Sequence, residues 1–153
     1  MIYVVCGPPG SGKTTFVRKH AKYGDLIVDV DAIFHAITGL PWYDKPQKLL
    51  PLALSVRDFL VGKIKFYSQK EAFYNAWVIT GGASMEYRNR LAMRLEPAQV
   101  YVLEVGPGEC IRRIFNDDRR KDRWEYWQEL VHKWWREYES YSGDNVLKPE
   151  RTD

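Results

Sequence analysis

Cysteine and long apolar runs are scarce in this sequence. Its 153 residues include two cysteines, Cys6 and Cys110, which lie far apart and form no metal-spaced or redox pair. We therefore expect two part-buried thiols in a reducing cytoplasm. The apolar stretch at 2–6 is too short for a signal peptide or a membrane span, and Lys and Arg interrupt every later apolar window. These absences predict a cytoplasmic protein with no membrane association.

The sequence also lacks a strong charge of either sign. Its formal net charge is +3 and its pI is near 8.8, which suits ligands that carry phosphate but is too weak for a dedicated nucleic-acid binder. Hydrophobic residues make up 45% and charged residues 28%, as in ordinary globular proteins. We expect one domain over 1–153.

Short β-favouring runs alternate with segments of helical periodicity. Strands are predicted at 2–6, 26–30, 76–80 and 100–105, with a possible edge strand at 145–147. Helices are predicted at 13–22, stopped by Gly24, and at 31–39, capped by Asp31. Further helices are predicted at 49–67, 84–95, 109–115 and 124–141. This alternation predicts an α/β fold with a mostly parallel sheet of four or five strands and helices on both faces.

A glycine-rich motif joins the first strand to the first helix. Its glycines let successive N–H groups point at a phosphate, aided by the positive end of the following helix. Lys13 is expected to reach the β- and γ-phosphates, and the hydroxyl of Thr14 to hold Mg²⁺. The motif between a buried strand and a helix predicts a site for ATP with Mg²⁺. Its residues are Gly7, Pro8, Pro9, Gly10, Ser11, Gly12, Lys13, Thr14 and Thr15.

On this motif the chain resembles the small P-loop kinases, which include shikimate and gluconate kinases, nucleotide kinases and the 5′-kinase domain of polynucleotide kinases. The resemblance covers roughly residues 1–140. The chain is also similar to small kinase-like ATP-binding proteins of tailed phages and prophages. The family resemblance implies a P-loop kinase-like three-layer sandwich with a helical lid, and transfer of a phosphoryl group from ATP to a hydroxyl acceptor.

Two carboxylates, Asp29 and Asp31, follow the second strand, at the sheet edge where open parallel sheets bind ligands. In family members that phosphorylate alcohols, a carboxylate at the position of Asp31 orients the hydroxyl and takes its proton. By this resemblance Asp31 is the candidate catalytic base, and Asp29 helps to bind the metal. The alternative for Asp31 is a helix cap, and the two roles are compatible.

The third strand ends at Gly81 and Gly82, where polynucleotide kinases typically carry an aspartate. Shikimate kinases carry a glycine run there, so the two glycines favour a small-metabolite acceptor. The two glycines either let a ligand approach the backbone closely or form the turn that enters the next helix. Arg57 on the long helix is a candidate anchor for an anionic acceptor, or else a solvated or salt-bridged residue.

A charged segment at 112–123 follows the fourth strand and its short helix. By the family resemblance it is a mobile lid whose Arg113, Arg119 and Arg120 lie over the ATP phosphates, a role that suits forked, permanently charged guanidinium groups. The alternative is a solvated charged turn, because Asp117 and Asp118 are interspersed with the arginines.

The final predicted helix, at 124–141, is rich in aromatic residues at helical spacing, which is typical of a core-facing stripe. The alternative is a surface for a protein partner or nucleic acid. Trp42 and Tyr43, in a loop near the predicted acceptor cleft, are better candidates for stacking on a base.

Three functions remain open from the sequence. The first is a kinase acting on a nucleic-acid 5′-hydroxyl or a nucleotide-like molecule. The second is a kinase of a small metabolite, as in shikimate and gluconate kinases. The third is an ATP-binding switch or assembly factor with slow ATPase activity that binds a partner through the aromatic helix.

Overall fold

A computed structural model of the protein describes residues 1–149. Its strands are β1 (Ile2–Cys6), β2 (Leu26–Asp29), β3 (Ala76–Thr80), β4 (Gln99–Leu103) and β5 (Asn145–Leu147). Its α-helices are α1 (Lys13–His20), α2 (Val30–Thr38), α3 (Leu50–Gln69), α4 (Met85–Arg94), α5 (Pro107–Phe115) and α6 (Trp124–Glu137). The strands form one parallel sheet in the order β2-β3-β1-β4-β5. The predicted parallel sheet is confirmed, and β5 completes it as the fifth strand.

Helices cover both faces of the sheet. The central strands therefore bury both sets of their alternating side chains. On one face, Val4 of β1 and Val78 of β3 pack with Val61 and Ile64 of α3 and with Trp134 of α6. On the other face, a second cluster places side chains of β1, β3 and β4 against Val17 of α1. The three layers match the predicted sandwich, and none of the helices in the part described could span a membrane.

The parallel strands end at a common edge, where the chain turns into the candidate site. β1 leads directly into the glycine-rich loop and β2 ends at Asp29. The N–H of Gly7 donates to the carbonyl of Gly81 at 3.1 Å, which joins the start of the loop to the end of β3. The same carbonyl accepts a hydrogen bond from the indole of Trp134 at 2.8 Å. The loop therefore rests on the end of β3 and on α6.

Two predicted helix ends are corrected by the structure. Helix α1 ends at His20 with Ala21 as its cap, and Gly24 lies in the turn beyond, with a φ of 85°. Helix α2 is capped by Asp29 rather than Asp31, because the Asp29 side chain accepts a hydrogen bond from the N–H of Asp31 at 3.0 Å. An Asx-type bond across two residues favours the earlier of two closely spaced aspartates as the cap.

The buried face of α3 is narrow, and several of its large apolar side chains are exposed. Leu52, Phe59 and Tyr67 are exposed, and the fully buried side chains of this helix are Ala53, Val61 and Ile64. In α6, Trp127, Val131 and Trp134 are buried, so the middle of the aromatic stripe is core. Trp124 and Tyr141, at the two ends of the predicted stripe, are more than a third exposed, and the helix itself stops at Glu137.

A buried arginine ties the C-terminal segment to the sheet edge. The side chain of Arg88 in α4 is fully buried and forms an ion pair of 2.8 Å with Asp144. It also donates to the carbonyls of Gly82 and Ala83, each at 2.8 Å. Because Asp144 directly precedes β5, this ion pair fixes the entry of the edge strand.

Candidate active site

The glycine-rich loop has the backbone that its sequence predicts. Gly10 and Gly12 adopt left-handed conformations, with φ of 79° and 89°. A Cβ at Gly10 would lie 2.8 Å from the carbonyl oxygen of Cys110, so a side chain is excluded there by sterics as well as by backbone strain. Gly12 is the residue that precedes α1, so the loop delivers the N-terminus of that helix to the edge of the sheet.

Lys13 lies folded over the loop that it follows. Its Nζ donates to the carbonyls of Gly7 at 2.8 Å and Pro8 at 2.9 Å. Burial lowers the pKa of Lys13 to about 8, although the nearby carboxylate of Asp31 opposes this shift. The ammonium group is poorly solvated, and a polyphosphate at the loop would be a strong partner for it.

Ser11 has a buried polar atom that fits the same interpretation. Its Oγ finds no hydrogen-bond partner among residues 1–149, although the side chain is buried. A Cβ on Gly7 would come within 2.5 Å of this oxygen, so the glycine keeps that space open. A buried hydroxyl without a partner costs roughly 1–3 kcal/mol, which a phosphate oxygen accepting its proton would offset.

The two aspartates at the end of β2 lie in different environments. Asp29 is buried, and burial together with the neighbouring charge of Asp31 raises its pKa to about 6. Asp31 is the second residue of α2, with about a quarter of its side chain exposed, and it forms an ion pair with Lys45 at 2.9 Å. The accessible carboxylate, Asp31, is the better placed of the two to accept a proton from a substrate.

The loop between α2 and α3 lines the same cleft as the glycine-rich loop. Trp42 and Tyr43 both line the cleft, with their ring centroids 6.4 Å apart. Lys45 and the half-buried Arg57 line it as well. Burial raises the pKa of Tyr43, so its hydroxyl stays protonated at neutral pH.

The arginines of the predicted lid reach the same cleft. Arg113 on α5 donates from Nη1 to the carbonyl of Gly10 at 3.3 Å. Arg119 and Arg120 are held by Asp117, with Nε to carboxylate distances of 3.0 Å for each. The aspartate that sequence reasoning took as evidence for a solvated turn therefore orients two arginines that line the cleft.

All these groups share one open cleft of about 940 Å³. The structure brings together the predicted residues of the phosphate loop other than Pro8, together with Asp29, Asp31, Trp42, Tyr43, Arg57, Gly81, Arg113, Arg119 and Arg120. Pro8 and Gly82 were also predicted as site residues, and neither lines the cleft. Gly82 has a φ of 60°, and a Cβ there would lie 2.5 Å from the Sγ of Cys6, so its packing against β1 is enough to require glycine.

Sequence reasoning missed several residues that line the cleft. Lys45 lies two positions after Tyr43, and this proximity in sequence is a signal for a site residue. Trp127 has the same helical spacing as the other aromatic residues of α6, and this pattern predicts a core position for all of them. The others come from elements far apart in the sequence, among them α1, β4, β5 and the segment after β5, which sequence order does not bring together. They include Phe16, Arg18, Lys19, Leu103, Leu147, Lys148 and Pro149.

The donor set suits a magnesium ion held mainly by a nucleotide. Magnesium usually takes one or two protein ligands together with phosphate oxygens and water. Thr14 offers a hydroxyl at the start of α1, and Asp29 a buried carboxylate whose raised pKa a cation would lower. No cluster of three or more His, Cys, Asp or Glu side chains suited to a metal occurs in residues 1–149. The residues present therefore fit a metal that arrives with its nucleotide.

Comparison with known proteins supports the same fold. A family model described as an AAA domain matches residues 2–75, slightly less than half of the chain. A gluconokinase from Sinorhizobium meliloti 1021 superposes with a TM-score of 0.60 at 17% identity, over 97% of this chain and 82% of that one. A search of curated proteins gave no match.

Two further solved structures are similar. One is TT1252 from Thermus thermophilus, with a TM-score of 0.57 and 14% identity over 99% of this chain and 90% of that chain. The other is described as a sugar kinase from Janibacter sp. HTCC2649, with a TM-score of 0.57 and 15% identity over 97% and 83% of the two chains. At these identities the likeness establishes the fold, and it confirms the prediction of a P-loop kinase-like architecture.

Proposed function

Because the chain has the fold of the small P-loop kinases, we propose that it is an ATP-dependent phosphotransferase that acts on a hydroxyl group. One observation carries the proposal: the phosphate loop, Asp31 and the lid arginines line a single cleft. Phosphoryl transfer requires alignment of two substrates and neutralisation of charge, and these residue types supply both. A structural role alone would not require a carboxylate, a half-buried lysine and three arginines around one cavity.

The chemistry follows from the positions of these residues. Lys13 exchanges its bonds to loop carbonyls for bonds to the β- and γ-phosphates of ATP. Asp31 accepts the proton of the acceptor hydroxyl while the hydroxyl oxygen forms a bond to the γ-phosphorus of ATP. The bond between the γ-phosphorus and the oxygen that bridges it to the β-phosphate breaks, and that oxygen leaves with ADP. Arg113, Arg119 and Arg120 stabilise the charge on the transferred group. Magnesium bound with the nucleotide, at Thr14 and Asp29, would neutralise further phosphate charge.

The charge of the cleft indicates an anionic acceptor. Nine cationic side chains and two carboxylates line it, whereas the whole chain has a net charge of only +3. The three arginines of the lid are already paired with carboxylates outside the cleft lining, and a surplus of cations remains without them. A magnesium-bound triphosphate neutralises part of this surplus. Arg57 lines the cleft and forms no ion pair within 4.0 Å in residues 1–149, so it is the candidate anchor for a carboxylate or phosphate of the acceptor.

Two acceptor classes have support. A nucleic-acid 5′-hydroxyl or a nucleotide-like molecule would stack on Trp42, which lines the cleft. A small acidic metabolite is favoured by two observations. The similar structures include proteins described as a gluconokinase and a sugar kinase, and the ring of Tyr43 is already engaged by Arg120 at 4.5 Å.

The switch or assembly-factor alternative has less support. Its proposed partner surface was the aromatic helix, whose Trp127 and Trp134 are buried against the domain. A switch of this kind would bind ATP and hydrolyse it slowly, but it would not need Asp31 as a catalytic base. Asp31→Ala would then leave partner binding intact, which a pull-down with wild-type and variant protein would reveal.

A transfer assay with labelled ATP tests the proposal. The acceptors are DNA and RNA 5′-hydroxyl ends, nucleosides, nucleotides, shikimate and gluconate. Lys13→Ala should abolish nucleotide binding with the fold intact. Asp31→Asn should preserve ATP binding and reduce transfer at least about 100-fold, whereas Asp44→Asn, an exposed aspartate of the neighbouring loop, should change little.

The outcomes separate the candidate functions. Transfer to oligonucleotide ends supports the nucleic-acid acceptor, and transfer to a soluble acid supports the metabolite. No transfer to any acceptor by a protein that binds ATP would overturn the kinase proposal in favour of the switch.

A further inference from the structure

One aromatic side chain, that of Tyr43, joins two segments that line the cleft. One segment is the lid at 112–123, and the other is the loop between α2 and α3, called the acceptor loop below. The ring of Tyr43 lies 4.5 Å from the guanidinium carbon of Arg120 and 5.1 Å from that of Arg119. These are cation–π distances, and the planar guanidinium keeps its N–H groups available while it stacks. Arg120 bonds to Asp117 through Nε, which leaves both of its terminal nitrogens outside that bond.

Trp127 of α6 contacts both members of this junction, the ring of Tyr43 and the guanidinium of Arg120. Its ring lies 5.2 Å from Tyr43 in an edge-to-face arrangement and 5.5 Å from the guanidinium of Arg120. The ammonium group of Lys45, which pairs with Asp31, lies 5.4 Å from the same ring. One buried tryptophan thus contacts the loop that reaches the candidate base and an arginine of the lid.

Tyr43 has a strained backbone within a turn, in which the N–H of Asp44 donates to the carbonyl of Pro41 at 3.0 Å. Its φ is 72°, in the left-handed region that residues other than glycine rarely adopt. Such a conformation costs roughly 1–3 kcal/mol and persists only where surrounding contacts maintain it. Relaxation of this residue would withdraw its ring from the two arginines.

We propose that Tyr43 is a positioning residue that holds Arg119 and Arg120 at the phosphate end of the cleft and transmits occupancy of the acceptor loop to them. The role of the arginines in phosphoryl transfer rests on the proposed function. The contacts of Tyr43 with the two arginines do not depend on it. An acceptor that contacts Trp42 or displaces Lys45 from Asp31 shifts the same short loop that carries Tyr43. Acceptor binding therefore changes the placement of the arginines without contact between acceptor and arginine.

Hydrogen exchange and a transition-state mimic together test the proposal. Tyr43→Leu removes the stacking face, and a cation–π contact is worth about 0.5–2 kcal/mol, or roughly 2- to 30-fold in an equilibrium. Amide exchange over 116–123 should accelerate within that range. Tyr43→Phe, which keeps the ring, should retain most of the protection.

The second readout is specific to the arginines. With magnesium present, affinity for ADP alone should change less than twofold in Tyr43→Leu, whereas affinity for ADP with aluminium fluoride, which mimics the transferred phosphoryl group, should fall about 10-fold. Arg120→Lys keeps the charge and loses the stacking, and should show the same selective loss. Because Tyr43 also contacts Arg119, the double variant should lose more than either single variant but less than their combined losses.

Tyr126→Leu is the matched control. Tyr126 stacks on Arg123 at 4.3 Å and contacts Trp127 at 5.4 Å, but neither Tyr126 nor Arg123 lines the cleft. This variant should leave the affinity for ADP with aluminium fluoride unchanged, and any faster exchange should be confined to the residues next to Arg123. Wild-type exchange over 116–123 in Tyr43→Leu, or equal effects of Tyr43→Leu and Tyr126→Leu, would overturn the positioning role.

Failure of the proposed function gives a different pattern. If wild-type protein binds ADP with aluminium fluoride no better than ADP, the phosphoryl-transfer proposal fails. In that case, faster exchange in Tyr43→Leu still supports the junction, and unchanged exchange still refutes it. If Tyr43→Leu does not fold, Arg120→Lys and Tyr43→Phe decide by the same two measurements.

Discussion

The affinity for ATP should fall steeply above pH 8, because one poorly solvated, half-buried lysine must be protonated to bind phosphate. Burial lowers the pKa of Lys13 to about 8. Bound phosphates favour the ammonium form and return its pKa towards the ordinary value near 10.4. If only the charged form binds, the apparent Kd increases by a factor of about ten between pH 7 and pH 9.

The same linkage predicts proton uptake on binding. At pH 8.5 roughly three quarters of the free protein has a neutral Lys13, so about 0.75 protons should be taken up per ATP bound. At pH 7 the uptake should be below about 0.1. Titration calorimetry in two buffers with different ionisation enthalpies measures both the Kd and the proton count at each pH.

Lys13→Arg provides the control, because an arginine remains charged throughout this range. Its affinity is expected to be lower than that of wild type, yet constant from pH 7 to pH 9. Thermal melting at each pH checks that the protein stays folded. A wild-type Kd that is flat over this range, with no proton uptake at pH 8.5, would refute the assignment of a neutral, desolvated Lys13 to the free site.

Two predictions concern stability, and urea unfolding measures both. Arg88→Met should lower the free energy of unfolding by about 3–5 kcal/mol, because it leaves a buried carboxylate without its partner. Arg90→Met, at a side chain that is 72% exposed, should stay within about 0.5 kcal/mol; equal losses in the two variants would contradict a buried ion pair. Gly82→Ala should cost about 2–4 kcal/mol, because the new Cβ meets a sulfur atom of β1 at 2.5 Å on a backbone with φ of 60°. Gly24→Ala, with φ of 85° and no atom within 4 Å, carries only backbone strain of about 1 kcal/mol, and a similar loss at both glycines would show that packing adds nothing.

The sequence was most informative where function depends on neighbouring residues. The strand, glycine-rich loop and helix of the phosphate site are contiguous, so the pattern predicted both their structure and their place in the cleft. Parallel topology then placed Asp29 and Asp31 at the same edge, since all strands of such a sheet end there. The error at the cap of α2 arose because both aspartates satisfy the sequence preference, and only the backbone geometry selects Asp29.

Side-chain pairings between distant segments could not be predicted in this way. The ion pair of Lys45 with Asp31 depends on how the loop after α2 folds back over that helix. The contact of Trp127 with Tyr43 requires the relative placement of that loop and α6. Residues with helical spacing are indistinguishable by pattern, so Trp127 at the cleft and Trp134 in the core were read as one stripe.

The charges of the site also bear on how a metal would enter. Asp29 has a pKa of about 6 before any ligand is considered, because it is buried and lies beside Asp31. A polyphosphate alone would raise this pKa further, since like charges disfavour ionisation. At neutral pH Asp29 would then tend to take up a proton and lose its value as a metal ligand. A divalent cation that arrives with the phosphates reverses this effect, so the electrostatics favour binding of the magnesium–nucleotide complex over sequential binding of nucleotide and metal.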